Sequence, residues 1–328
     1  MWALLALVAT VLTSILPILN KQLLRDAHPA IVAWAINVTS LPLLAIGTFF
    51  LTQCTVAGFP VRVSLTCTTH VPQIDTTFAV GILGSAVLNW VATLLSTYAL
   101  SRADASLVTP LLTFNPAFTL LLGWIVLREV PGLQEGLGIV IILFGAYLLE
   151  VQEVRAGFLA PLFTLVRRPG AALAVVASAL WGTTTVLEKL AIDHVTPPSG
   201  PLVALIGTTI TVILLTPNAL VVIFRRDYTA SSRDTPTQQV PLWGLGSHNR
   251  AFLAAALLAG VAPLFGFTAI ALGLVGNVTA LFKLSAVFTV LWAWLFLHEG
   301  NMRTRLLGVI VMVLGGVLQQ CSQRLSEM

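Results

Sequence analysis

Long apolar blocks constrain the fold of this chain more than any other feature of its sequence. A helix needs about 20 consecutive apolar residues to cross the hydrocarbon core of a bilayer. Ten blocks come close to this length, and they cover residues 2–20, 30–51, 77–100, 105–127, 134–151, 171–192, 201–224, 251–273, 277–297 and 304–320. Each block is apolar on every face, which favours a helix surrounded by lipid. We therefore predict an all-α polytopic membrane protein with ten transmembrane helices.

The charged residues are too few to cover a soluble protein of this length. Lys and Arg number 17 and Asp and Glu number 13 among 328 residues, or 9%, whereas an average soluble domain carries roughly 25%. Most of the basic residues lie between the apolar blocks, so the net charge of +4 does not indicate nucleic-acid binding. The sequence contains no metalloprotease, nucleophile-elbow or Walker motif. We predict no enzymatic activity, no catalytic residue, no metal site and no cofactor.

The second half of the chain repeats the first. Segment 114–148 aligns with segment 284–318, and the identical pairs include Phe118 with Phe288, Thr119 with Thr289, Trp124 with Trp294, Glu129 with Glu299 and Gly145 with Gly315. The repeat predicts two five-helix halves at 1–151 and 171–320, a linker at 152–170 whose apolar residues favour an interfacial position, and a tail at 321–328. Because five is an odd number, the second half is expected to enter the membrane inverted.

These repeated residues resemble the EamA-type branch of the drug/metabolite transporter superfamily. The pattern is formed by Ala99-Leu100, Pro116, Leu127-Arg128-Glu129, Gly138 and Gly145, and again by Ala271-Leu272, Leu297-His298-Glu299, Gly308 and Gly315-Gly316, with Ala286 in place of the proline. The resemblance implies a ten-helix carrier with a central cavity, formed mostly by spans 1–3 and 6–8, that opens alternately to either side. It also implies small substrates such as amino acids, other metabolites or toxic compounds, usually exported.

Five residues inside the spans are candidates for the substrate cavity, because a polar group in lipid needs a partner. Lys283 would hold an anionic substrate, unless it extends to the membrane surface from the start of its span. Asn89 and Trp90 in span 3, and Asn37 in span 2, would contact substrate or bond a neighbouring helix. Thr184 in span 6 would contact substrate or bond its own backbone.

Five charged residues at the ends of spans are candidates for proton coupling or for gating. Glu129 and Glu299 end spans 4 and 9, where the alternative role is to anchor the turn into the next helix. Lys21 ends span 1, and Glu188 and Lys189 end span 6, where the alternative is a solvated helix end. Glu188 and Lys189 are adjacent and point to different faces, so they are not expected to pair with each other.

Two further features bear on how the chain lies in the membrane. The loops after odd-numbered spans hold 12 basic residues, and the loops on the other side of the membrane hold four. By the positive-inside rule this distribution predicts that both termini lie outside. The resemblance instead implies that both termini lie in the cytoplasm. Cys54 and Cys67 share one polar segment and are interpreted as free thiols, although they could pair in an oxidising compartment. No organelle address is visible, so a plasma membrane is the expected location.

The leading hypothesis is a secondary transporter of small polar or amphipathic metabolites, amino-acid-like or drug-like, that works by alternating access. Its partners would be the substrate, the lipid bilayer and a coupling proton, with no role for nucleic acid. A lipid-linked sugar flippase is the alternative within transport. An intramembrane enzyme or a non-transporting membrane subunit is the alternative of another class. The sequence leaves the substrate, the coupling ion and the oligomeric state open.

Overall fold

The computed structural model describes residues 1–23, 29–57, 64–67, 72–102, 111–151, 169–230, 249–292 and 307–318. Helices account for most of this part of the chain: α1 Trp2–Leu23, α2 Pro29–Gln53, α3 Thr76–Arg102, α4 Asn115–Leu122, α5 Leu133–Val151, α6 Pro169–Asp193, α7 Gly200–Ala230, α8 Asn249–Leu272, α9 Val275–Phe282, α10 Ser285–Trp292 and α11 Leu307–Leu318. A five-residue π-helical turn, Gly123–Leu127, follows α4. Most of the predicted linker and the whole tail at 321–328 lie outside the described residues.

The described helices differ in whether they are long and apolar enough to cross a membrane. Five meet both conditions, over Ile31–Thr52, Thr76–Thr93, Ala172–Asp193, Gly200–Val222 and Asn249–Leu272. Shorter apolar helices cover the other five predicted spans, at Trp2–Leu16, Asn115–Leu127, Leu133–Leu148, Val275–Thr289 and Leu307–Leu318. The multi-pass helical fold is confirmed, and the count of ten spans stays a prediction.

Apolar side chains are exposed along the outer faces of these helices. They recur at helical spacing, as with Val80, Leu83 and Val87 on α3 and Leu137, Val140 and Phe144 on α5. A soluble protein rarely exposes contiguous apolar surface of this extent. These faces are therefore suited to contact lipid, and the buried faces hold the bundle together.

Helices of one half pack mainly against helices of the other. Helix α1 packs on α8 and α3 packs on α6, which are equivalent pairs when the two halves are exchanged. Helix α4 packs on α6, and the equivalents of α4 in the second half, α9 and α10, pack on α1. Helix α2 packs on its own equivalent, α7. The repeat seen in the sequence is thus a pseudo-two-fold relation in the packing.

The pseudo-two-fold relation extends to single hydrogen bonds between the halves. Thr119 Oγ1 donates to the carbonyl oxygen of Gly182 at 3.3 Å, which joins α4 to α6. Its repeat equivalent, Thr289 Oγ1, donates to the carbonyl oxygen of Ser14 at 2.9 Å, which joins α10 to α1. A hydroxyl that bonds a neighbouring helix adds specificity to packing in a bilayer, where apolar burial alone drives little association.

Helices α5 and α11 approach each other most closely at two equivalent glycines. A Cβ on Gly145 would lie 2.6 Å from the backbone nitrogen of Met312, and a Cβ on Gly315 would lie 2.7 Å from the backbone nitrogen of Ile142. Both clashes are with backbone, so no rotamer change can relieve them. Small residues at such crossings let membrane helices pack backbone to backbone.

Several helix ends meet at one end of the bundle, which we call the Trp2 end. Helix α1 begins there at Trp2, whose ring lies against Gly273 in the turn between α8 and α9. Helix α6 also ends there, and β4, Val195–Thr196, pairs antiparallel with β3, Gln73–Ile74, just before α3. Helices α1 and α6 therefore run in opposite directions, as an inverted repeat requires.

A second two-stranded sheet lies between α2 and α3. Its strands are β1, Cys54–Ala57, and β2, Ser64–Cys67, and they pair antiparallel. Their backbone register sets Cys54 opposite Cys67. Whether the two thiols are free stays a prediction.

Candidate substrate cavity

Two helices of the bundle are broken at equivalent positions of the repeat. The chain turns at Thr113 and Phe114 before α4, and at Lys283 and Leu284 between α9 and α10. The backbone bonds match: Phe114 N–H donates to Leu111 O at 3.4 Å, and Leu284 N–H donates to Leu281 O at 3.0 Å. Interrupted helices in corresponding positions of two halves are typical of transporter substrate sites, because the break frees polar backbone at mid-membrane depth.

A cavity of about 420 Å³ lies beside these breaks. Its wall is built from both halves of the chain, with side chains from α1 and α4 facing others from α6, α8, α9 and α10. The polar members of the wall are Thr13, Asn115, Thr185, Glu188, Thr279, Lys283 and Ser285, and the large apolar ones are Phe267, Ile270 and Phe282. The volume suits a small molecule, and the mixed wall suits one that is both polar and apolar.

An ionisable base and an ionisable acid lie on this wall. Lys283 is half-buried at the break between α9 and α10, and Glu188 is half-buried near the end of α6. The sequence predicted Lys283 for the cavity and Glu188 for coupling or gating, and the structure brings both to one cavity. A wall with an ammonium and a carboxylate can bind an anionic group and can hold a proton or a cationic group.

Asn115 is a cavity residue that the sequence analysis missed. Its carboxamide Oδ1 is buried without a hydrogen-bond partner among the described residues, and the side chain lines the cavity. The repeat equivalent of Asn115 is Ser285, and each of them directly follows the two turn residues of its break. Both side chains line the wall. The signal that could have found Asn115 is its place next to Pro116, one of the residues that carry the family resemblance.

Lys189 is buried, with 7% of its surface exposed, so the solvated helix end considered from the sequence is wrong for this residue. Its Nζ donates to the carbonyl oxygen of Ala271 at 3.2 Å, in the last turn of α8. The same Nζ lies 3.4 Å from Oδ1 of Asp193, one turn further along α6. Glu188 and Lys189 thus point apart, as expected of neighbours on a helix.

Glu129 reaches from the first half into the second. Arg128 adopts a left-handed conformation, with φ 57°, and ends the π-helical turn, so the chain leaves the helix axis at Glu129. The backbone N–H of Val275, the first residue of α9, donates to Glu129 Oε2 at 2.6 Å. Burial raises the pKa of the Glu129 carboxyl above its ordinary value, and this bond and Lys189 lower it in part. Glu129 therefore does not only anchor the turn after span 4, because its carboxylate also binds the start of α9 in the second half.

The other four cavity candidates from the sequence, Asn89, Trp90, Asn37 and Thr184, are not among the residues that line the described cavity. Trp181 Nε1 donates to Asn89 Oδ1 at 3.0 Å and joins α6 to α3, while Asn37 Nδ2 and Thr184 Oγ1 donate to carbonyl oxygens one turn back, of Ala33 and Leu180. The indole N–H of Trp90 is buried without a partner among the described residues. The bonds of Asn89, Asn37 and Thr184 favour the packing alternatives, and a role in substrate binding stays a prediction for all four residues.

Two gate candidates cannot be compared with the structure. Glu299 lies outside the described residues, and for Lys21 only the helical backbone is described. Their roles stay predictions from the repeat, in which they correspond to Glu129 and Lys189.

The packing, the lipid-facing surface and the cavity between two equivalent halves define a multi-pass integral membrane protein with an internal cavity. The EamA-like transporter family matches the chain twice, over residues 1–151 and 168–319. The chain belongs to this family. The resemblance inferred from the repeated residues is thereby confirmed.

Two individual proteins are similar to this chain. An uncharacterized protein of Methanocaldococcus jannaschii is 42% identical over 69 residues, which are 21% of this chain and 50% of that protein. The chain thus spans half the length of this curated relative. A crystal structure described only as that of a protein has a TM-score of 0.66 at 14% identity, and the match covers 97% of this chain and 96% of that one. At this identity the likeness shows a shared fold.

Proposed function

We propose that this protein is a secondary transporter that moves small polar or amphipathic metabolites across a membrane by alternating access, in the direction of export. The observation that carries the proposal is the cavity beside the two equivalent helix breaks, with walls from both halves. A site shared by two inverted halves can be exposed to either side when the halves rock against each other. The plasma membrane is the proposed location.

The chemistry of the wall supports a substrate with an anionic group and an apolar part. Lys283 supplies an ammonium for a carboxylate or similar group, and Asn115 supplies a carboxamide oxygen that can accept a hydrogen bond. Phe267 and Phe282 offer apolar surface to the rest of the molecule. An amino-acid-like metabolite has all of these features.

Ligand-dependent thermal stability of the purified protein tests this proposal. Amino-acid-like and other anionic, zwitterionic and cationic metabolites are added one at a time, and the unfolding temperature is measured. A compound that binds only the folded state stabilises it by about 2.7 kcal/mol at a hundredfold excess over its Kd. We expect stabilisation by compounds with a carboxylate, followed by their uptake into proteoliposomes. If no soluble compound stabilises the protein or enters the vesicles, and a lipid-linked sugar does, transport of soluble metabolites is the wrong function.

We further propose that Glu188 is the proton-coupling carboxylate. It lies on the cavity wall, where a proton and a substrate can reach it, whereas Glu129 is already bonded to the backbone of Val275. Replacing Glu188 by Gln keeps the shape of the side chain and removes the charge that a proton would neutralise.

For Glu188→Gln, we expect exchange of substrate across proteoliposomes to continue while accumulation driven by a pH gradient is lost. The substrate is the compound that stabilises the wild type most. Glu135→Gln is the control, because Glu135 accepts a bond from the backbone N–H of Gly132 outside the cavity. Accumulation by Glu188→Gln at the wild-type level would remove Glu188 from the coupling mechanism.

A further inference from the structure

We propose that Glu129 and Lys189 form a latch that closes the substrate cavity at the Trp2 end by holding the turn between α8 and α9. They act as positioning residues for the transport step, and the inference rests on the proposed transport function. Neither residue lines the described cavity wall. Their effect would be on which side of the membrane the cavity can face.

The two side chains hold the two sides of one short turn. Lys189 Nζ donates to the carbonyl oxygen of Ala271 at 3.2 Å, just before the turn. The backbone N–H of Val275, just after the turn, donates to Glu129 Oε2 at 2.6 Å. Only Leu272, Gly273 and Leu274 lie between these two backbone groups.

The charges suit the helix ends that they touch. The last carbonyl groups of α8 carry partial negative charge and meet an ammonium, while the first N–H groups of α9 carry partial positive charge and meet a carboxylate. Both contacts are therefore charge-assisted hydrogen bonds to backbone groups that the helices leave unpaired. Neutral side chains of the same size would hold the turn less firmly.

The position of the latch connects it to closure of the cavity. Thr185 and Glu188 line the cavity on α6, and the following turn towards the Trp2 end carries Lys189 and the fully buried Ile192. On the other side of the turn, Val275 is fully buried at the start of α9. The latch thus lies in the packed layer between the cavity and the Trp2 end.

The latch also joins the two halves of the repeat. Glu129 follows α4 of the first half, whereas the turn that it holds belongs to the second half. If the halves rock apart at the Trp2 end, the bond between Glu129 and Val275 has to break, because its two partners move with different halves. A bond within one half would not be affected in this way.

Glu135 provides a matched control within the same region of the chain. Its Oε2 accepts a hydrogen bond at 3.1 Å from the backbone N–H of Gly132, three residues earlier. Both glutamates thus accept a backbone N–H, but only Glu129 does so across the halves. Removing Glu135 tests the loss of a local cap without the loss of the latch.

Labelling of a cysteine in the cavity tests the proposal without any substrate. The native cysteines are replaced by serine, and Thr13 on the cavity wall is replaced by Cys as the reporter. A membrane-impermeant maleimide is applied in separate experiments to each side of sealed vesicles. Protease digestion of an N-terminal tag identifies the side to which the Trp2 end faces.

We expect Glu129→Ala to increase the labelling rate from the Trp2 end by about tenfold, the factor that the loss of one charge-assisted bond gives. Lys189→Met should give a smaller increase, because its bond to Ala271 lies within the second half and acts only by keeping the turn in place. Labelling from the opposite side should fall, because the cavity faces one side at a time. Glu129→Gln should give a smaller change, since its carboxamide can still accept the bond from Val275. Glu135→Ala should label as the parent protein does.

Three results would overturn the latch. The first is an unchanged labelling rate in Glu129→Ala, provided that the protein is monodisperse and melts cooperatively. The second is an equal increase in Glu135→Ala. The third is an increase from the Trp2 end with no fall from the other side, which would indicate local loosening. Because the labelling needs no transport, its results can contradict the latch while substrate uptake is intact. Equally, substrate uptake can be absent while the labelling supports the latch.

Discussion

Replacing Lys283 by Ala is expected to remove much of the thermal stabilisation given by carboxylate-bearing ligands and to slow their uptake into proteoliposomes. Lys283 lies on the cavity wall at the break between α9 and α10, and an ammonium there is the group best suited to an anion. A hydrogen bond to a charged group is worth roughly 1.5–3 kcal/mol, which corresponds to an increase in Kd of about tenfold to a hundredfold or more. Isothermal titration with the best-stabilising ligand would measure this change directly.

Two controls separate substrate binding from general damage at this site. Ser285→Ala changes a polar residue of the same wall, two positions away, and is expected to weaken binding much less because no charge is lost. Lys283→Arg keeps the charge and is expected to restore part of the affinity. If Lys283→Ala binds every ligand as the wild type does, the lysine belongs to the membrane surface and not to the substrate site.

Replacing Gly145 or Gly315 by Val is expected to prevent assembly of the folded protein or to lower its unfolding temperature strongly. The first side-chain atom alone would lie 2.6 Å from the backbone nitrogen of Met312, or 2.7 Å from that of Ile142. Overpacking typically costs about 1–3 kcal/mol where side chains can adjust, and the cost should exceed that range here because the neighbours are backbone atoms. Fluorescence-detected size exclusion and thermal unfolding would measure the effect.

The matched control for this pair is Gly136→Ala in α5, where an added Cβ meets nothing within 4 Å. That change should leave the unfolding temperature equal or slightly higher, since Ala in a helix is favoured over Gly by roughly 0.5–1 kcal/mol. Gly145 and Gly315 form one crossing, so the double variant should cost less than the sum of the two single variants. A wild-type unfolding temperature for Gly145→Val would contradict the close approach of α5 and α11.

The sequence was sufficient to predict the helical membrane fold, the two repeats and the family. Apolar blocks and repeated residues are local properties, and they can be found without knowing which helices touch. Lys283 and Glu188 could be singled out in the same way, because charge near or inside an apolar block is conspicuous. Their common location on one cavity wall required the packing of α6 against α4 and of α9 against its neighbours.

The remaining features of the site depend on contacts between distant residues. The bond between Glu129 and Val275 joins positions 146 residues apart, and no spacing in the sequence indicates it. The burial of Lys189 likewise depends on α8, which is remote in the chain. Pro116 follows the break in the first half, but the second half is broken at the equivalent place with Ala286 instead. The break therefore follows the repeat and does not require proline.

The two helix breaks share a similar backbone turn and have different side chains. Lys283 in one break corresponds to Thr113 in the other, and Ser285 corresponds to Asn115. The main-chain bonds from Phe114 and Leu284 to the carbonyl oxygens three residues back agree, whereas Pro116 has no N–H to match that of Ala286. Because a similar turn forms with different side chains, these side chains can be exchanged without disturbing the backbone around the cavity. Such a duplicated scaffold can acquire a new ligand preference through one or two substitutions at a break, with its helix packing left as it was.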